Sequence, residues 1–105
     1  MIRWLRMDIA NFTVHKVLVD NGSFTDIIFK DVLRKMGFDV ASVDLVQNPL
    51  VGFRGSKVTS LGTIELPISI GELKQKTMMV KFLVVDTPFA YNVILGRLGL
   101  NSFRR

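Results

Sequence analysis

The chain reads as an all-β domain, and three observations carry that reading. Nearly half of its 105 residues are hydrophobic, and many of these are β-branched, a composition that suits a pleated, half-buried surface. They gather into short runs separated by glycine, proline and Asn or Asp turn residues, the punctuation of strands and hairpins. Only one well-marked stretch, Phe29 to Met36, combines helical spacing with a stop signal. A chain of this length fits a single domain, residues 1–105, with one core and no need of covalent staples.

The elements follow in chain order. Met7 to Ile9 and Thr13 to Val19 form a hairpin around Ala10-Asn11-Phe12, with His15 alternating beside Val14 before the apolar run Val17-Leu18-Val19. Asp20 to Ser23 is a turn, and Asp26-Ile27-Ile28 is a short strand leaving it. In Phe29 to Met36, Val32, Leu33 and Met36 share one face, while Lys30, Asp31, Arg34 and Lys35 take the other. Gly37 follows as the residue that can adopt the left-handed conformation ending a helix. Val43 to Val46 is a short strand. Leu50 to Phe53 and Lys57 to Leu61 flank Arg54-Gly55-Ser56 as a second hairpin. Thr63 to Ile70 and Thr77 to Val85 form a third, turning at Gly71-Glu72-Leu73. Pro67 predicts an edge or a bulge, and Met78 to Val85 reads as a central strand. Tyr91 to Leu95 is the last strand, and Arg97 to Phe103 a short helix.

Composition excludes several classes of chemistry. With no cysteine there are no disulfides, zinc–thiolate sites or thiol nucleophiles. No apolar stretch approaches the roughly 20 residues that span a bilayer, and Met1 to Arg6 lacks the pattern of a secretory leader. An intracellular, cytoplasmic protein with no membrane partner is the expectation. The formal charge of +5 is spread over scattered Lys and Arg, which reads as a solvated basic surface. Aromatic residues do not interleave with a basic stripe, so a nucleic-acid partner is not expected. The acids stand singly and His15 is the lone histidine. Neither a metal site nor a serine triad is expected, and no cofactor is called for.

Asp20-Asn21-Gly22-Ser23 is the most informative tetrapeptide. Asn-Gly alone signals a hairpin turn. Three features favour a functional loop instead. The preceding strand is wholly apolar, so the carboxylate emerges from a buried element. Gly22 and Ser23 place N–H and hydroxyl donors beside it. Downstream, Ile94-Leu95-Gly96 has the shape of a strand that packs next to such a loop.

These segments, in this order, resemble the retropepsin-like aspartic proteases, most closely those in polyproteins of plant gypsy-type LTR retrotransposons. Val17 to Ser23 resembles the family's apolar strand followed by Asp-Thr/Ser/Asn-Gly-Ser/Ala. Ile27-Ile28 and Val32 to Gly37 match the segment after that loop. Leu50 to Gly55 resembles the flap, and Tyr91 to Arg97 the closing signature. The resemblance implies a closed, retropepsin-like (acid protease) β-barrel with one or two short helices, one lobe per chain. It assigns Asp20 as the catalytic residue and Asn21, Gly22 and Ser23 as the active-site loop. Phe53, Arg54, Gly55 and Ser56 become the flap over the substrate, although an ordinary surface hairpin fits them as well. Ile94, Leu95, Gly96 and Arg97 form a structural signature, with Arg97 pairing to an acid for which Asp26 is one candidate. Asn21 stands where the family most often has threonine, so the grip across the dimer axis differs.

The implied enzyme is a homodimeric aspartic endopeptidase acting on a peptide or polyprotein, with one aspartate from each chain. Two carboxylates about 4 Å apart repel by roughly 4 kcal/mol at an effective dielectric of about 20, or about three pKa units. Such a pair shares one proton over a wide acidic range. Its ionised member draws a proton from water, and its protonated member donates to the scissile carbonyl. Nine residues follow Gly96, where the family continues with a further interfacial strand, so the expectation is a trimmed or weakly associating domain. An inactive protease-like dimerisation or interaction domain is the alternative.

Overall fold

The computed structural model describes residues 4–20, 25–39, 43–44, 50–53, 56–70, 77–87 and 89–99. Strand β1 (Trp4–Ile9) and strand β2 (Phe12–Val19) form an antiparallel hairpin whose last partners are Ile9 and Phe12. The turn is therefore two residues long. Ala10 (φ 49°) and Asn11 (φ 72°) are both left-handed, which matches the twist of the flanking strands.

A bulge interrupts this ladder. From Met7↔Val14 to Leu5↔Val17, β1 advances two residues and β2 three. The extra residue lies at His15-Lys16, and Lys16 takes the left-handed φ of 57°. Simple alternation from Val14 would turn Lys16 inward. The bulge instead leaves His15 and Lys16 exposed and buries Val14, Val17 and Leu18. Asn92 clamps it, donating its side-chain N–H to the His15 carbonyl at 2.7 Å and its backbone N–H to that of Lys16 at 2.9 Å.

Strand β3 (Ile27–Phe29) runs into helix α1 (Lys30–Lys35). Val32, Leu33 and Met36 are buried as the spacing predicts. Gly37 (φ 86°) ends the helix: its N–H reaches the Arg34 carbonyl and the Phe38 N–H reaches that of Leu33, both at 3.0 Å. This doubly bonded stop satisfies two orphan carbonyls. Val43 is buried, and Asp44 bridges Thr63; residues 45 and 46 of the predicted strand lie outside the described residues.

Strand β4 (Leu50–Phe53) pairs with β5 (Ser56–Ile70), and β6 (Met78–Val85) returns along β5. β5 is one continuous strand of 15 residues rather than parts of two hairpins. Its bulge falls between Ser60 and Gly62, not at Pro67. Gly62 (φ 147°) sits where an added Cβ would overlap the Asp44 carbonyl oxygen, so the Asp44–Thr63 bridge requires glycine there. Pro67 is not on an edge either. Its carbonyl accepts the Ala10 N–H at 2.9 Å, just past the last β1–β5 partners, where no ladder N–H is needed.

Strand β7 (Val93–Leu95) completes the sheet between β2, which it meets in parallel, and β3, which it meets antiparallel. β3 in turn is parallel to β6. The order β1-β2-β7-β3-β6-β5 closes because β5 also pairs with β1, and β4 is added outside this six-stranded ring. The result is a closed mixed barrel with two short helical segments, α1 and a turn over Arg97 to Gly99. Its interior is apolar, with Phe82, Ile9, Ile28, Ile68, Val84, Val93 and Leu95 sealed from solvent. Met7 and Met36 belong to this core, whereas Met79 is exposed. Among the described residues no helix is long and apolar enough to cross a membrane.

Candidate active site

Two short apolar strands, β3 and β7, buried at every residue, and the apolar end of β2 create the site. Val93, Ile94 and Leu95 are all sealed, with β2 on one flank and β3 on the other. The C-terminal end of β2 therefore lies at the mouth of this layer. Asp20 is the first residue past β2 and is half-buried. Its N–H donates to the Leu95 carbonyl at 3.0 Å, extending the parallel ladder by one bond. The bulge at His15-Lys16 sets the facing of everything after it, Asp20 included.

Asn21, Gly22 and Ser23, with Phe24, lie outside the described residues. The chain re-enters at Thr25 and Asp26. Asp26 is only 2% exposed, the one buried acid among the described residues. Its Oδ1 accepts the Gly96 N–H at 2.7 Å and the Gly99 N–H at 3.2 Å, and its carbonyl accepts the Leu83 N–H at 2.8 Å. Burial pushes its carboxyl from the ordinary 3.8 up to about 6; the two backbone N–H bonds pull the other way and lose. The partners of this carboxylate are thus backbone groups, not the Arg97 guanidinium that was one sequence-level expectation. Arg97 is exposed and opens the short helical turn. Gly99 is buried against Asp26, and an added Cβ there would lie 2.8 Å from Oδ1.

Ile94, Leu95 and Gly96 of the signature are buried and adjoin Asp20 and Asp26. In the flap region Phe53 and Ser56 are ladder partners, and Arg54 and Gly55 lie outside the described residues. His15 is exposed on β2, and no group of three or more potential metal ligands occurs among the described residues. Sequence reasoning underrated Asp26. The available signal was an acid wedged between a turn and an unbroken apolar run, Ile27-Ile28-Phe29.

Known structures resemble this barrel over nearly its whole length. The retroviral protease-like domain of Ddi1 from Leishmania major superposes with a TM-score of 0.70 at 19% identity, covering 99% of this chain and 74% of that one. A retropepsin-like aspartic protease from Rickettsia conorii gives a TM-score of 0.66 at 20% identity, over 92% of this chain and 67% of that one. A Legionella pneumophila protein of unknown function gives 0.57 at 14% identity, over 96% and 85%. No protein-family model matches the chain, and no curated protein does. At these identities the likeness is one of fold. The barrel is retropepsin-like, and its structural neighbours include retropepsin-like aspartic protease domains.

Proposed function

We propose that this chain is an aspartic endopeptidase that works as a homodimer, with Asp20 as the single catalytic residue of each subunit. The observation that carries the reading is the placement of Asp20. It stands half-buried at the end of an apolar strand, held through its N–H to Leu95, in a barrel of retropepsin-like fold. The bond fixes the point of the backbone from which the carboxylate departs, and a two-fold axis passing the mouth of the layer would bring its twin beside it. The pair would share a proton, activate water with its ionised member and protonate the scissile carbonyl with the other. Gly22 would let the backbone approach, and Ser23 would bond the outer oxygen of Asp20. The flap segment Phe53 to Ser56 would close over a bound peptide and exclude water.

The substrate we propose is a retroelement polyprotein of the plant gypsy type, on the likeness of the motif set Asp20-Asn21-Gly22-Ser23 and Ile94-Leu95-Gly96-Arg97. The test is cleavage of a peptide library at acidic pH. Activity should vanish in Asp20→Asn and with pepstatin. Cleavage that persists in Asp20→Asn rules the reading out. A folded wild-type dimer that cuts nothing supports the alternative of an inactive protease-like interaction domain.

A further inference from the structure

Asp20 and Asp26 are fastened to the same peptide unit. The carbonyl of Leu95 accepts the Asp20 N–H at 3.0 Å, and the N–H of the next residue, Gly96, donates to Asp26 Oδ1 at 2.7 Å. These C=O and N–H groups belong to one planar amide, so they cannot rotate independently. We infer that Asp26 is a positioning residue, whose carboxyl fixes the orientation of the Leu95–Gly96 peptide and thereby the backbone of Asp20. The functional part of this inference rests on Asp20 being catalytic.

Three features show that the Asp26 contact is built rather than incidental. The side chain is sealed, although an isolated buried carboxylate is costly. Its Oδ1 collects a second N–H from Gly99, so the oxygen staples the helical turn to the strand end. Gly99 is the residue type the contact requires, because a Cβ would meet Asp26 Oδ1 at 2.8 Å and Leu95 Cδ1 at 2.6 Å.

The staple is pH-sensitive by construction. As a neutral acid, Asp26 accepts through a carbonyl-like oxygen; once ionised, it makes stronger, charge-assisted bonds but bears the cost of a buried charge. Lys81 of β6 lines the same small cavity of about 180 Å³, together with Met79, Val80, Leu98 and Gly99. The other ionisable groups on elements meeting there are Arg97 on the helical turn and Asp20 at the end of β2. β3 and β7 bring only apolar side chains. Burial outweighs the two backbone N–H bonds from Gly96 and Gly99 and pushes the carboxyl up to about 6. In the proposed enzyme the peptide that holds Asp20 would thus change its grip near the upper end of the acidic range.

Amide chemical shifts test this without any turnover. They are followed in the Asp20→Asn chain from about pH 4 to about pH 8, which removes the candidate dyad as a source of titration. The Gly96 and Gly99 amides and the amide of residue 20 should share one inflection near pH 6. That inflection should disappear from all three when Asp26→Asn is added. A residue-20 amide that stays flat while Gly96 titrates overturns the positioning role. So does an inflection that survives Asp26→Asn. If the double variant does not fold, the titration in Asp20→Asn alone still decides. Gly99→Ala, which crowds Oδ1, should displace the Gly96 and residue-20 amides together, and displacement of neither also overturns it. In the chain with Asp20 intact, Asp26→Asn should remove the component near pH 6 from the pH profile of kcat/KM. Cleavage that persists in Asp20→Asn would sink the proposed function and leave the shift experiment untouched, so the two failures are separable.

Discussion

Replacing Asp26 by asparagine keeps the side chain's size and acceptor oxygen and removes its ionisation. In the folded chain, burial holds this carboxyl at about 6 instead of the ordinary 3.8. The folded state therefore binds the proton more tightly than the unfolded state does. The resulting stabilisation is complete below about 3.8 and is lost as pH rises through about 6. A rise of about two units corresponds to about 3 kcal/mol. The carboxyl borders an open cavity, so solvent screening removes part of this, and the expected loss is about 1.5–3 kcal/mol. Other carboxyls also titrate in this range, but they are common to both chains and cancel in the comparison. The assay is urea denaturation of wild type and Asp26→Asn at one protein concentration, at about pH 3.5 and about pH 7.5. Wild-type stability relative to Asp26→Asn should fall by that amount between the two conditions. A difference that stays constant, or grows with pH, would refute the reasoning, because Asp26 would then not be a buried carboxyl held mainly by neutral contacts.

Three further outcomes follow from the backbone and the surface. Gly62→Ala should destabilise the barrel by about 3 kcal/mol or more in urea denaturation, because the new Cβ overlaps the Asp44 carbonyl oxygen and also meets Val43 Cγ1 at 2.9 Å. Ala10→Asn should raise stability by about 0.5 kcal/mol, visible as a higher Tm, since asparagine tolerates the left-handed turn better than alanine does. Asp86→Asn should cost less than about 0.5 kcal/mol in the same denaturation assay, because its contact with Lys30 is long, at 3.7 Å, and half of the Asp86 side chain is exposed.

Much of the barrel was legible because its signals are local. Val17-Leu18-Val19 ahead of Asp20 marked β2, Val32, Leu33 and Met36 with Gly37 marked α1 and its stop, and the hairpins announced themselves through their turn residues. What escaped was set by distant partners. Lysine is a poor left-handed residue, and nothing local marks Lys16 for that conformation; the clamp on its carbonyl comes from Asn92 at the start of β7. Gly62 looked like a break between hairpins, whereas it lets one long strand bulge around the Asp44 carbonyl. Pro67 pointed to an edge or a bulge, whereas its missing N–H costs nothing because the β1–β5 ladder ends one residue away, at Ile68. At the candidate site, the position of Asp20 at the end of a buried strand was legible. Asp26 was not, because its partners are the N–H groups of Gly96 and Gly99, some seventy residues away.

In the proposed enzyme Asp20 is inert without a second Asp20 beside it. The most direct measurement is the specific activity of wild type against an acidic-pH peptide substrate as the protein is diluted, repeated with a growing excess of Asp20→Asn. The account predicts that activity per chain falls on dilution and that the excess variant suppresses it by forming one-carboxylate pairs. Activity per chain that is indifferent to both dilution and the variant would contradict it.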